Sequence, residues 1–463
     1  METAQINPEL IEHRDYSELD VQPSFASGLQ LFAVIVYLIT QGFTIPILSI
    51  GPSWAVWPRL DDFATVFLFV VYLNTRNNTS PMNKTERFVS ILIILGIIAS
   101  VPSTFMGKLI RPEFVKAPTF GIYQTFRVIE YFAVWYCIRG MTFSSKQFNK
   151  ISYTVFFVVL FVVIIGFGNV TGAIPPARLV AHLPVEGAWA MVHKRTGAFR
   201  AMGPYGWNPG YMVDQLVFLT MIVLASRKPR AIFRILLVGA VACVVFLSGS
   251  RAATVAWCVA LAIWAHKSAK QLIIMLIVIS LLIPFLYIFL GSPDSPVAEL
   301  VGKRLHSIIY REEDITLGGR TLQWAAFLRY LTSHPSVPIM GVGWGFGSHV
   351  LEPETGIFRA HSMYLDVLLE VGVFGAIMFY ILLFQMYRLV RGKDRLLAAI
   401  RAAFLGLLVA SITGAVFFPL PTGGSFLGFT GAVFAISTAT YRGKLLEERY
   451  YEDYEWLEQE DSS

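Results

Sequence analysis

Long apolar stretches recur through the sequence, and their length restricts the possible folds more than any other feature. A helix needs about 20 apolar residues to cross the hydrocarbon core of a bilayer. Twelve stretches approach that length: 29–50, 58–74, 88–106, 118–138, 152–174, 211–226, 231–249, 252–265, 271–290, 364–387, 402–418 and 425–441. Only 15% of the 463 residues are charged, whereas roughly a quarter are charged in a soluble domain. The sequence therefore predicts an all-α, polytopic membrane bundle of about 12 transmembrane helices and excludes a soluble multidomain protein.

Charge divides the chain into three regions. Residues 1–28 contain six acidic residues and one basic residue, and residues 442–463 contain eight acidic and three basic residues. Between these acidic tails, residues 29–441 form the predicted transmembrane domain, with a net charge of +16. A basic membrane domain suits anionic lipid headgroups or a phosphate-bearing substrate. Nucleic-acid binding is not expected, because the chain has no basic soluble domain with interspersed aromatic residues.

Basic residues in the short loops predict the orientation, because cytoplasmic loops are enriched in Lys and Arg. With the N-terminus inside, the short cytoplasmic segments contain sixteen basic residues and the short outer segments contain five. The sixteen are Arg76, Lys84, Arg87, Arg139, Lys146, Lys150, Arg227, Lys228, Arg230, Lys267, Lys270, Arg388, Arg391, Lys393, Arg395 and Arg401. We therefore expect both termini in the cytoplasm. Two long loops, 175–210 and 291–363, then lie on the outer face, where loops of this length are often functional.

The longer loop contains a predicted amphipathic helix that begins at Arg320. Trp324, Phe327, Leu328 and Leu331 recur at helical spacing, so they form one apolar stripe for a short helix on the outer membrane surface. Arg320 lies away from this stripe. A guanidinium donates two parallel hydrogen bonds to a phosphate and keeps its charge, so Arg320 is a candidate phosphate ligand. The alternative is an interfacial arginine that contacts lipid headgroups.

Two further arginines are candidate anion ligands at the outer face. Arg251 follows Ser-Gly-Ser at the predicted start of the eighth span, and helix N-termini favour anions. Arg200 lies in a turn-rich part of the shorter loop that is marked by Gly, Pro and Asn. The alternatives are that Arg251 snorkels to the membrane surface and that Arg200 packs within its loop.

A histidine, a carboxylate and two glycines complete the candidate site. His361 precedes the tenth span and can accept a proton near neutral pH, although a histidine there can also cap the helix. Glu370 lies about 13 Å further along that helix. A carboxylate inside a membrane is usually functional or part of a structural ion pair. Gly341 and Gly343 allow the backbone to approach a ligand or another helix, but they lack the Lys-Ser/Thr of a P-loop.

Other charges lie inside the predicted spans, and several metal and nucleophile motifs are absent. Arg127 and Glu130 are three residues apart on one helix, so we expect them to form an ion pair facing the bundle, whereas Asp214 has no evident role. The sequence lacks Asp-x-Asp, His-Glu-x-x-His, His-x-x-Glu-His, Cys-x-x-Cys and Gly-x-Ser-x-Gly. We therefore expect no metal and no cofactor, and arginines with a histidine suit pyrophosphate chemistry.

In their order and spacing, these residues resemble the O-antigen ligase and polysaccharide polymerase superfamily over roughly residues 195–380. The matching segments are Arg200-x-x-Gly203 with Asn208-Pro209, Ser-Gly-Ser-Arg251, Arg320-x-x-x-Trp324, His334-Pro, Gly341-x-Gly343, His361-Ser-x-Tyr-Leu and Glu370-x-Gly372-x-x-Gly375. The resemblance implies a GT-C-like helical fold. It also implies metal-independent transfer of glycan from an undecaprenyl-pyrophosphate donor at the periplasmic face of the bacterial inner membrane.

The same resemblance implies roles for individual residues. Arg251 and Arg320 match arginines that hold the pyrophosphate, and His361 matches the histidine that acts on the acceptor hydroxyl. The residues that we expect to bind substrate are Arg200, Trp324, Gly341, Gly343 and Glu370. This sequence has Ser362 where the family often has Asn, which affects how His361 is oriented.

The leading hypothesis is an inverting membrane glycosyltransferase that polymerises O-antigen or exopolysaccharide repeat units. An O-antigen ligase that attaches polysaccharide to lipid A core in lipopolysaccharide biosynthesis is the nearest alternative. A polysaccharide or small-anion transporter is the rival class, but a transporter predicts an inverted repeat that we do not find in the sequence. A structural scaffold of a polysaccharide export complex is the third hypothesis. The expected partners are the lipid-linked donor, a glycan or lipid A core acceptor, membrane lipids, a flippase and a chain-length regulator.

Overall fold

The computed structural model describes residues 25–42, 47, 58–75, 80–110, 119–174, 201, 203, 209–266, 320–343, 362–412 and 424–461. Within these ranges, some helical side chains lie outside the description, those of Arg251 and Arg320 among them. The described chain forms helices and the turns that join them, without a β-strand, which confirms the all-α class.

The described ranges contain thirteen helices. They are α1 (Gly28–Thr40), α2 (Leu60–Thr75), α3 (Lys84–Ile110), α4 (Thr119–Arg139), α5 (Ser145–Thr171), α6 (Pro209–Ala225), α7 (Ala231–Ser248), α8 (Arg251–Ala265), α9 (Arg320–Ser333), α10 (Ser336–Met340), α11 (Met363–Leu389), α12 (Arg395–Ala410) and α13 (Gly424–Asp461). Eleven of them coincide with predicted spans, and the remaining predicted span, 271–290, lies outside the described residues.

Among the described helices, three are long and apolar enough to cross a membrane: α5, α7 and α11. Shorter apolar segments occur in α1, α6 and α8. These helices confirm a membrane-type helical protein. The number of about 12 spans and the GT-C-like arrangement stay predictions.

Polar side chains fix where several helices begin. Ser27 starts α1 with a capping box, in which its hydroxyl accepts from the Gln30 amide and the Gln30 side chain accepts from the Ser27 amide. Ser144 and Gln147 repeat this arrangement at α5. Between α7 and α8, Gly249 adopts a left-handed conformation, with φ of 68°, that reverses the chain.

Helix α6 lies inside the bundle, where it packs against α5, α7, α8, α12 and α13. Every residue from 212 to 223 is buried, which explains why this short helix is apolar on all sides. Asp214 is 5% exposed near the start of α6, and within the described residues its carboxylate has no ion pair or hydrogen bond. The structure thus places Asp214 in the interior without assigning it a role.

The turns at 140–144, 226–230 and 390–394 lie at one end of the bundle, which we call the basic end. Contacts from α12 and α13 connect these turns: Arg395 donates to the Leu224 carbonyl, Lys444 pairs with Asp394, and Arg442 donates to the Met141 carbonyl. Helix α13 has 38 residues and continues without a break across the predicted 441/442 boundary between the membrane domain and the acidic tail. The first residues of that tail are therefore part of the helix that holds the basic end together.

Candidate functional site

Helices α9 and α10 pack against the first half of α11, at the end of the bundle opposite the basic end. Phe327, Tyr330 and Leu331 of α9 form a separate apolar cluster with Val337 and with residues at positions 342 and 369. Trp324 packs against the edge of this cluster. The amphipathic helix that the sequence predicts at Arg320 is therefore present, and it buries its apolar stripe against another helix.

The predicted apolar stripe of α9 is wrong at one residue. Leu328 is 52% exposed, whereas Tyr330, which the pattern leaves out, is 3% exposed. The ring of Tyr330 stacks on His334 with 4.5 Å between centroids. The contact face is rotated toward Tyr330 because α9 packs against Val337 of α10 and Leu369 of α11, which lie on that side of the helix.

Two glycines bring the α10–α11 turn into backbone contact with α11. Gly341 has φ of +74° and Gly372 has φ of +67°, and the latter interrupts the helical conformation inside α11. The amide of Val342 donates to the Leu369 carbonyl at 2.8 Å, and the amide of Gly343 donates to the Glu370 carbonyl at 3.0 Å. Of the two sequence-based alternatives for Gly341 and Gly343, the structure shows the close approach to another helix.

Replacement of Gly372 by alanine is expected to destabilise this end of the protein. A Cβ atom at Gly372 would lie 2.3 Å from the Ile339 carbonyl oxygen, and a non-glycine residue with this φ costs about 1–3 kcal/mol even without a clash. We expect a clearly lower melting temperature for Gly372→Ala in detergent. Gly28→Ala is the control, because a Cβ there meets nothing within 4 Å. Equal melting temperatures of the two variants would contradict the strained contact.

An apolar groove of about 520 Å³ runs beside this contact. It is lined by α3, α4 and α11, with Gly431 of α13 and, at one end, Ile339 and Met340 of α10. Its α11 side extends from Val371 to Met386, which is about 22 Å along a helix. Phe374 on its edge is 69% exposed, so the groove opens on the outside of the bundle. Such a groove suits a long hydrocarbon chain whose polar end lies near α10.

The structure places two of the three predicted catalytic residues at helix starts. Arg251 is the first residue of α8 and Arg320 the first residue of α9, as predicted. His361 lies outside the described residues, directly before Ser362, the N-cap residue of α11. Arg200 also lies outside them.

The predicted substrate-binding residues are partly brought together. Gly341, Gly343 and Glu370 meet at the α10–α11 contact, where the Glu370 side chain is buried. Trp324 lies on the neighbouring apolar cluster. Asp366, also buried, was missed by the sequence analysis. Its position four residues before Glu370 puts both carboxylates on one face of α11, and that spacing was the available signal.

A separate group of charges connects α2 with α4. Arg127 Nη1 lies 2.8 Å from Glu130 Oε2, which confirms the predicted pair, and it also bonds to Asp62. Arg59 Nε lies 3.3 Å from Asp61 Oδ1. These charged side chains are at most 22% exposed. Because each of these side chains pairs with one of opposite charge, the contacts support a structural role for Arg127 and Glu130 and not the transport role of the rival hypothesis.

Comparison with known proteins places part of the chain beside a known family. Residues 235–380 match the family model described as O-antigen ligase. The matched segment contains Arg251, Arg320, His361 and the α10–α11 contact, whereas Arg200 lies before it. No curated protein matches the chain. Its membrane-type helices and this match are those of a bacterial inner-membrane protein. The family match thus confirms, over residues 235–380, the resemblance to an O-antigen ligase-like family found in the sequence.

Proposed function

We propose that the protein is a metal-independent, inverting glycosyltransferase that uses an undecaprenyl-pyrophosphate-linked glycan as donor. The apolar groove beside α10 carries this proposal. Its volume of about 520 Å³ lies within the roughly 300–1,000 Å³ typical of ligand pockets. The end of the groove at α10 is formed by residues inside the family match, and α9, which begins at Arg320, belongs to the same matched segment. The groove would hold the first isoprene units of the donor and leave the pyrophosphate near the outer-face arginines.

We propose that the basic end lies in the cytoplasm and the α9–α10 segment in the periplasm. The sixteen basic residues that predict the cytoplasmic side include thirteen in the described ranges, and these lie at or next to the basic end. Clustering of Lys and Arg at one end of the bundle supports this orientation under the positive-inside rule. Both termini would then be cytoplasmic and the candidate site periplasmic.

The proposed chemistry uses two kinds of side chain. When the donor C–O bond breaks, negative charge develops on the pyrophosphate, and the fixed guanidinium groups of Arg251 and Arg320 would stabilise it. His361 would accept the proton of the acceptor hydroxyl as that oxygen attacks the anomeric carbon from the opposite face. The bond to the acceptor forms while the bond to pyrophosphate breaks, so the configuration inverts.

The proposed acceptor is a second lipid-linked repeat unit, which makes the protein a polymerase. The test uses purified protein in vesicles with lipid-linked repeat units. Formation of a ladder of longer glycans without lipid A core supports the polymerase. The family match, described as O-antigen ligase, favours a ligase as the second candidate, and transfer that requires added lipid A core would identify it. Absence of transfer under both conditions would contradict the proposed activity.

A further inference from the structure

Arginine side chains converge on one carbonyl oxygen at the basic end. Arg395 Nη2 donates to the Leu224 carbonyl at 2.8 Å, and Arg234 Nη1 reaches the same oxygen at 3.4 Å. Arg234 Nη1 also donates to the Ser226 carbonyl. Partial burial of its guanidinium and, to a smaller extent, the positive charge of Arg227 lower the pKa of Arg395, so a third guanidinium is nearby. Three positive charges therefore surround the last turn of α6.

Within the described residues, no carboxylate pairs with Arg227, Arg234 or Arg395. The neighbouring Asp394 pairs with Lys444 and accepts hydrogen bonds from the first amides of α12. A guanidinium has five N–H donors, and the carbonyl contacts leave most of them available. Clustered like charges repel one another. An external anion with several acceptor oxygens is therefore the complementary ligand.

The surroundings of these arginines indicate a lipid rather than a soluble anion. On α7, next to Arg234, Ile232, Phe233 and Leu236 are 57%, 50% and 61% exposed. They follow one another on one face of a helix that is apolar enough to cross a membrane. The Arg395 guanidinium lies 5.8 Å from the centre of the Trp264 ring, and Trp is enriched at membrane interfaces. The charge cluster thus lies directly beside a surface suited to acyl chains.

We propose that the basic end contains a binding site for an anionic phospholipid, with the phosphate at Arg227, Arg234 and Arg395 and an acyl chain along the exposed face of α7. Basic pockets between membrane helices on the cytoplasmic side bind headgroups of this class. The site lies at the end of the bundle opposite the proposed transfer site. Lipid binding at this site is therefore separate from glycan transfer and does not depend on the identity of the glycan.

Native mass spectrometry of the delipidated, full-length protein tests this site, with tetraoleoyl cardiolipin as the probe and dioleoyl phosphatidylcholine as the neutral lipid. We expect cardiolipin to bind more tightly than phosphatidylcholine. One arginine beside an anionic headgroup strengthens binding by about fivefold, so Arg234→Gln with Arg395→Gln should weaken cardiolipin binding roughly 30-fold. Phosphatidylcholine binding should not change.

The matched control removes two other exposed arginines from the same end, Arg87→Gln with Arg388→Gln, and it should keep nearly all cardiolipin binding. If loss of Arg234 prevents folding, Arg227→Gln with Arg395→Gln gives the same test, because both side chains are exposed. Equal weakening by the test and control pairs would overturn the site. Displacement of cardiolipin by excess inorganic phosphate would overturn the lipid assignment in favour of a soluble anion.

Discussion

Replacement of His361 by alanine is expected to lower the rate of glycan transfer by about 10²–10⁴-fold, the usual contribution of general acid–base catalysis. The physical reason is that a sugar hydroxyl loses its proton as it attacks, and no other side chain in our proposal accepts that proton. Donor binding should not change, because the proposed pyrophosphate ligands are arginines. The measurement is single-turnover transfer in vesicles, together with the affinity for the lipid-linked donor.

His334→Ala is the matched control for this prediction. His334 lies between α9 and α10, where its ring stacks on Tyr330 and its Nδ1 contacts the Tyr330 carbonyl at 3.1 Å. These contacts indicate a packing role, so we expect the control to keep most of the transfer rate. Full activity of His361→Ala in a correctly folded protein would remove the base from the mechanism and reopen the transporter hypothesis.

The helices were predictable because their signals are local. Apolar length located eleven of the described helices, although the sequence analysis did not use the local start signal of Ser144 with Gln147 at α5. The starts at Arg251 and Arg320 were predicted because Ser-Gly-Ser and Gly-Gly stand directly before them. In each case, neighbouring residues alone determine the outcome.

The contacts of the candidate site were less predictable because they depend on distant parts of the chain. A single glycine inside an apolar span is usually tolerated, and only the approach of the Ile339 carbonyl explains why α11 is interrupted at Gly372. Burial of Tyr330 instead of Leu328 depends on the direction from which α11 packs. Similarly, the sequence shows many arginines at the basic end, but only the fold brings Arg234 and Arg395 to one oxygen atom.

Replacement of Arg320 or of Arg251 by alanine is expected to reduce the turnover rate by about 10²–10³-fold, which is the usual effect of removing one preorganised hydrogen-bond donor from an oxyanion site. The reason is that each guanidinium would stabilise charge that develops only as the pyrophosphate leaves. Lysine at either position should restore part of the rate, because it keeps the charge but loses the two-pronged hydrogen bond. Turnover with purified lipid-linked donor is the measurement.

Arg329→Ala provides the control on the same helix. Arg329 is exposed on α9, and its Nε donates only weakly to the Ala325 carbonyl at 3.4 Å, so removal of its charge should leave turnover nearly unchanged. A general loss of surface charge would lower turnover in the Arg329 and Arg320 variants alike, whereas loss of a pyrophosphate ligand would lower it in the Arg320 variant and not in the Arg329 variant. If Arg251→Ala and Arg320→Ala both fold and both retain full turnover, the leaving group is not held by these residues. The scaffold hypothesis would then explain why the protein uses neither side chain, and the groove beside α10 would need another ligand.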